Sequence, residues 1–165
     1  MVAVDFRSIA RSQDLKTFVQ CFPDPFLVVN HNKQPQPARE FRTQDITTMD
    51  LEPEITDIES AEIFLVKREG SDGTSMITVG RASNMDIVLG SSSVSKLHAY
   101  FQRRLDGSGW TIADADSSNG TVLNQRRLES KRVEAIKSGD VLVFAKTFWA
   151  EFLEPADAYS RFRSS

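Results

Sequence analysis

The sequence predicts an all-β domain, preceded by a partly helical N-terminal extension. From residue 61 onward the chain is built of short runs rich in β-branched and aromatic residues. Gly, Ser, Asn and Asp separate those runs, and no helical pattern lies between them. Before them, apolar residues recur at roughly helical spacing until prolines stop the run. Many short strands at regular spacing mean a β-sandwich or a barrel.

The extension is expected to span residues 1–29. Phe6, Ile9, Leu15, Phe18, Val19 and Phe22 approximate one helical face, Pro23 and Pro25 end it, and Phe26 to Val29 reads as a short strand. Such a segment cannot bury its own apolar side, so it is expected to dock on the main domain or on a partner. Cys21 is the only cysteine, which rules out an intrachain disulfide and a thiolate cluster for zinc. Its neighbours Phe18, Phe22 and Phe26 suggest a packed, inert thiol.

Residues 30–60 read as an acidic linker. Pro35, Pro37 and Pro53 interrupt it, and Asp50, Glu52, Glu54, Asp57 and Glu59 come with no intervening Lys or Arg, as in a solvated tether. The β domain is placed at 61–155. Its expected strands are 63–66, 76–79, 86–89, 98–103, 110–113, 131–136, 141–145 and 148–153. Turn signals at Gly70 to Gly73, Asp106-Gly107, Asn119-Gly120 and Gly139-Asp140 separate many of them. Residues 156–165 are left as a C-terminal tail.

The 165 residues suffice for one domain and an extension. No uninterrupted apolar span is long enough to cross a bilayer, and Asp5 and Arg7 interrupt the start where a signal peptide needs an apolar core. A cytoplasmic protein without membrane contact is expected. A net charge of −3 argues against sequence-independent nucleic-acid binding, which needs a basic surface. With two histidines and one cysteine, neither a metal site nor a cofactor is expected.

Three clusters on expected loops carry the functional signal: Gly80-Arg81, Ser95-Lys96-Leu97-His98, and Asp114 through Thr121 followed by Val122-Leu123-Asn124. Taken singly each has a plain structural reading. An Arg after Gly is most often a solvated charge, Ser95 with His98 can terminate a strand, and Asn-Gly is a common hairpin turn. Their order changes this. Gly-Arg, then Ser-x-x-His, then Ser-x-Asn-Gly-Thr-x-x-Asn, then Gly139-Asp140 before an apolar strand resembles the signature of the forkhead-associated (FHA) domain from end to end. The resemblance covers about 95 residues and leaves the first 60 unexplained.

The resemblance implies an FHA-type β-sandwich of two twisted sheets whose loops at one end bind phosphothreonine on a partner protein. The residue chemistry suits that task. A phosphate ester carries about −1.5 to −2 charges and three acceptor oxygens. Arg81 offers a planar fork of donors, Ser95 a hydroxyl, and Lys96 a further positive charge. By the same resemblance Asn119 holds the extended peptide backbone, having both donor and acceptor. Ser118 lines the region that takes the threonine methyl, worth on the order of 1 kcal/mol. Gly80, His98, Gly120 and Asn124 are expected to support the site rather than touch the ligand. Two positions depart from the commonest family pattern: Lys96 stands where arginine is frequent, and Leu97 where a polar or basic residue is usual.

Ser95, His98 and Asp114 are also the residue types of a nucleophilic triad. Yet the first two are neighbours on a loop, and no Gly-x-Ser-x-Gly elbow or Walker-type phosphate loop is present. The protein is therefore expected not to be an enzyme. The rival expectation is a phosphate-independent interaction or oligomerisation module. A further expectation is that Thr43, Thr47 or Thr48 in the linker, once phosphorylated, occupies the chain's own site, since a short tether gives a high effective concentration.

Overall fold

In the computed structural model, residues 4–31, 58–70 and 76–165 are described. The linker threonines Thr43, Thr47 and Thr48 lie outside these residues. Two helices come first, α1 (Phe6–Ser12) and α2 (Leu15–Cys21), followed by β1 (Phe26–His31) and β2 (Glu62–Leu65). Then come β3 (Ile77–Gly80), β4 (Ile87–Val88), β5 (Ala99–Arg103), β6 (Trp110–Asp114), β7 (Thr121–Leu123), β8 (Arg126–Arg127) and β9 (Glu134–Ile136). The hairpin of β10 (Val141–Phe144) and β11 (Phe148–Leu153) closes the β region, and α3 (Pro155–Ser164) ends the chain. The fold is mostly β, with short helices toward the two termini. Among the described residues no helix is long and apolar enough to cross a membrane.

The strands form two sheets, one ordered β2-β1-β11-β10-β7-β8 and the other β4-β3-β5-β6-β9. Residues of both sheets join one core: Leu27, Leu142 and Phe152 from the first meet Val79, Phe101 and Ile112 from the second. Phe101 and Phe152 stack across the layers with centroids 5.8 Å apart.

β1 explains its own composition. It pairs with both β2 and β11, so it is an interior strand. Leu27 and Val29 enter the main core, whereas Phe26 and Val28 face the opposite way into a second cluster. A strand covered on both faces reads as a continuous apolar run, not an alternating one. The sheet therefore reaches further toward the N-terminus than the boundary at residue 61 expected from sequence. β1 belongs to it structurally.

The second cluster is a helical layer on the outside of β1, β2 and β11. Phe6, Ala10 and Phe18 from α1 and α2 meet Ala158, Tyr159 and Phe162 from α3 over Phe26, Val28 and Leu153. The expected single helical run is two helices because Asp14 caps the second, accepting from the Thr17 amide and hydroxyl at 3.0 Å each. The C-terminal tail is a helix. Pro155 opens it, Asp157 stands in its first turn, and Arg161 and Arg163 in its last, all suited to the helix dipole. Arg161 also reaches the buried carboxylate of Glu151 at 2.6 Å. Cys21 is exposed, contrary to the packed thiol expected, because it sits at the end of α2 beyond the buried Phe18 face.

Candidate phosphopeptide-binding loops

The site begins with a missing side chain. At the end of β3, a Cβ on Gly80 would collide with the Lys96 carbonyl oxygen and stand 2.8 Å from its carbon. Only glycine lets these two backbones touch. The contact allows the Arg81 amide to donate to the Ser95 carbonyl at 3.0 Å, and the Ala82 amide to the Lys96 carbonyl at 3.3 Å. Arg81 and Lys96 thus flank one junction, both exposed, with Ser95 half-buried between them.

Behind the junction lies His98, fully buried. Its Nδ1 accepts from the Ser95 amide at 3.2 Å, which places the ring proton on Nε2, donating to the Gly120 carbonyl at 3.0 Å. Burial pushes the His98 pKa below its ordinary value, against the opposing pull of the Gly120 carbonyl and of Asp114. The imidazole is neutral and joins two loops. The Gly120 carbonyl also accepts from the Ala145 amide at 3.0 Å, tying in the β10–β11 turn.

Asp114 organises the loop between β6 and β7. It accepts from the Ser117 amide at 2.9 Å, the Ser117 hydroxyl at 2.6 Å and the Thr121 hydroxyl at 2.7 Å. Burial raises its pKa, but these hydrogen bonds outweigh burial and leave it lowered. The Ser117 hydroxyl oxygen accepts in turn from the Gly120 amide at 2.9 Å. Gly120, at φ +83°, completes the turn into β7. Both ring nitrogens of His98 are thereby committed to backbone, so Ser95, His98 and Asp114 do not form a proton relay.

The two loops then lock together. The Ser118 amide donates to the Ser95 hydroxyl oxygen at 3.0 Å, and Asn119 Nδ2 donates to the Ser93 carbonyl at 2.7 Å. Ser93 is further joined to Thr147 of the β10–β11 turn, hydroxyl to hydroxyl at 2.8 Å. Arg81, Ser95, Lys96, Ser118 and Asn119 are brought to one end of the fold by these contacts. Asn124 is not there. It stands beyond the far end of β7, where it donates to Asp140 and accepts from the Val141 amide, both at 2.9 Å, and so braces the Gly139–Asp140 turn. Leu97 is 42% exposed and stands in solvent.

The arrangement presents two cations, a hydroxyl and an amide on a rigid surface. The Ser95 oxygen accepts from an amide, which leaves its own proton to donate outward. Such a surface can offer hydrogen-bond donors and positive charge to an oxyanion. Sequence reasoning missed Ser93 and Thr147 as parts of the lock, since each acts through a long-range hydrogen bond with no local signature.

A family model described as "FHA domain" matches residues 77–145. An "Oxoglutarate dehydrogenase inhibitor" of Corynebacterium diphtheriae is 35% identical over 107 residues, covering 61% of this chain and 71% of that protein. A protein of the same description from Corynebacterium jeikeium is 30% identical over 94 residues, covering 53% of this chain and 62% of its own length. In fold, the chain resembles the FHA domain of the CT664 protein from Chlamydia trachomatis, with a TM-score of 0.53 at 19% identity, covering 79% of this chain and 97% of that one.

Proposed function

Because the chain belongs to the FHA-domain family, we propose that its loop end binds phosphothreonine on a partner protein, as a non-enzymatic adaptor in Ser/Thr kinase signalling. The observation that carries this reading is the junction at Gly80, where Arg81 is held against Ser95 while the Ser95 hydroxyl stays available to donate. Phosphate docks on Arg81, Ser95 and Lys96, and Asn119 clamps the peptide backbone with the donor and acceptor capacity left beyond its bond to Ser93. Ser118 lines the side taken by the threonine methyl. Gly80, His98 and Gly120 hold these groups in register. The two sheets act as a sandwich that presents the loops in the cytoplasm. The corynebacterial relatives described as enzyme inhibitors support a regulatory outcome of binding.

Fluorescence anisotropy against matched phosphothreonine, phosphoserine and unphosphorylated peptide pools tests this directly. Saturable binding is expected for phosphothreonine alone and should be lost in Arg81→Ala. Equal binding to all pools would favour a phosphate-independent module instead.

One observation favours a self-directed version of the same chemistry. His31, the last described residue before the linker, packs edge-on against Phe148 at 4.7 Å, next to Thr147 and its bond to Ser93. A tether starting there begins beside the site. Phosphorylated Thr43, Thr47 or Thr48 would then compete with external peptide, and a chain phosphorylated on them should lose affinity for it. Undiminished affinity after stoichiometric phosphorylation would rule this out.

A further inference from the structure

The loop end carries a cation that none of these roles uses. In the β7–β8 hairpin Arg127 stands opposite Val122, while Thr121 and Leu123 on either side of Val122 are buried. The strand alternation therefore puts Val122 and Arg127 on the outer face of the sheet. There the Arg127 guanidinium lies over Gly120, so close that a Cβ on Gly120 would stand 2.7–2.8 Å from its Nη2, Cζ and Nε. The absence of a side chain at 120 makes the shelf on which this guanidinium rests.

Its neighbours differ from it in one respect. Arg126 pairs with Glu134 at 3.2 Å, Lys131 with Asp116 at 3.5 Å, and Arg132 with Glu129 at 3.0 Å and Glu134 at 3.4 Å. Among the described residues no carboxylate bridges Arg127, and it is exposed. A cationic fork is thus held against the backbone next to Asn119, with no ion-pair partner among the described residues.

We propose that Arg127 forms a second anion subsite that receives the carboxylate side chain of an Asp or Glu flanking the phosphothreonine, and so sets the sequence preference of the site. This rests on the phosphothreonine reading. Ser95 holds the Ser118 amide on one side of Asn119 and Arg127 lies over Gly120 on the other, so an extended peptide held by Asn119 would pass from the first to the second. A guanidinium matches a carboxylate with two parallel donors. Resting on the Gly120 shelf, it loses little freedom on binding. An arginine serving only to cover Gly120 would be indifferent to peptide charge, and this separates the two roles.

The test is anisotropy on the full chain with phosphothreonine peptides in which each flanking position in turn carries Glu, Gln or Lys. Affinities are read as ratios within one protein, so that a general loss of affinity in a variant cancels. At one position the wild type should favour Glu over Gln by about tenfold. Arg127→Gln should bring that ratio close to one, and Arg127→Glu should turn it toward Lys. An unchanged ratio in Arg127→Gln, or no acidic preference at any position in the wild type, overturns the inference while leaving phosphothreonine recognition standing. Absence of phosphate-dependent binding in the wild type would overturn both.

Discussion

The helical layer and the loop end are held together by opposite means. Around Phe26 the contacts are apolar, ring on ring: Phe6 edge-on at 5.2 Å, Phe18 stacked at 5.8 Å and Phe162 edge-on at 5.3 Å. At the loop end the buried groups include His98, Asp114 and Thr121, each fixed by directed hydrogen bonds. Apolar burial is non-directional and scales with area, whereas a hydrogen bond fails when its geometry does. The first region is therefore a reservoir of stability and the second a device for holding positions. Damage to one should look different from damage to the other.

The largest effect is expected in the layer. Phe26→Ala removes a fully buried ring that bridges all three helices and should cost about 3–5 kcal/mol, read as a lowered urea midpoint. The protein that remains folded should keep its phosphopeptide affinity. An affinity lost in parallel would break the separation of the two regions.

Gly80→Ala acts at the loop end with the reverse balance. The added methyl must push the Lys96 carbonyl away, at a cost of about 1–3 kcal/mol. Because the same shift pulls Ser95 away from Arg81, phosphopeptide affinity should fall by at least about tenfold in the folded protein. Retained affinity would mean that the Arg81–Ser95 register does not set the site.

The two regions also differed in how far the sequence disclosed them. The loop motifs were legible because Gly80, Ser95, His98 and Gly120 each meet a local backbone demand at a fixed spacing. Their cross-links were not, since nothing near Ser93 announces that Asn119 will reach its carbonyl, and nothing near Arg127 that it will lie over Gly120. In the layer the apolar residues of α1 and α2 were legible as a face in need of cover. Its cover was partly hidden, because α3 buries only Ala158, Tyr159 and Phe162, too few to show a period. The double role of β1 was hidden too, since a run such as Phe26 to Val29 does not say that both its faces will be covered.

The smallest effect expected is a pH dependence confined to the loop end. His98 has a folded-state pKa below the 6.5 of a free imidazole. As pH falls through 6.5 the unfolded chain takes up a proton that the folded chain refuses, so stability declines until the lower folded value is reached. Above 6.5 both states are neutral and this contribution is flat. Protonation would also turn Nδ1 from acceptor to donor and set it against the Ser95 amide, loosening the loop that presents the hydroxyl. The lowered carboxylates Asp5, Asp14, Asp106, Asp114 and Glu134 act in a separate window. Their contributions are lost only as pH falls below their ordinary values of 3.8 to 4.5. Peptide affinity is the wrong readout, because a phosphate ester itself titrates near pH 6. The urea midpoint of the unliganded chain, followed downward from pH 6.5, isolates the histidine. His98→Gln keeps an acceptor and a donor without titrating, and its midpoint should lose the wild-type slope in that range. A slope that survives the substitution would place the sensitivity elsewhere and leave His98 as a brace indifferent to pH.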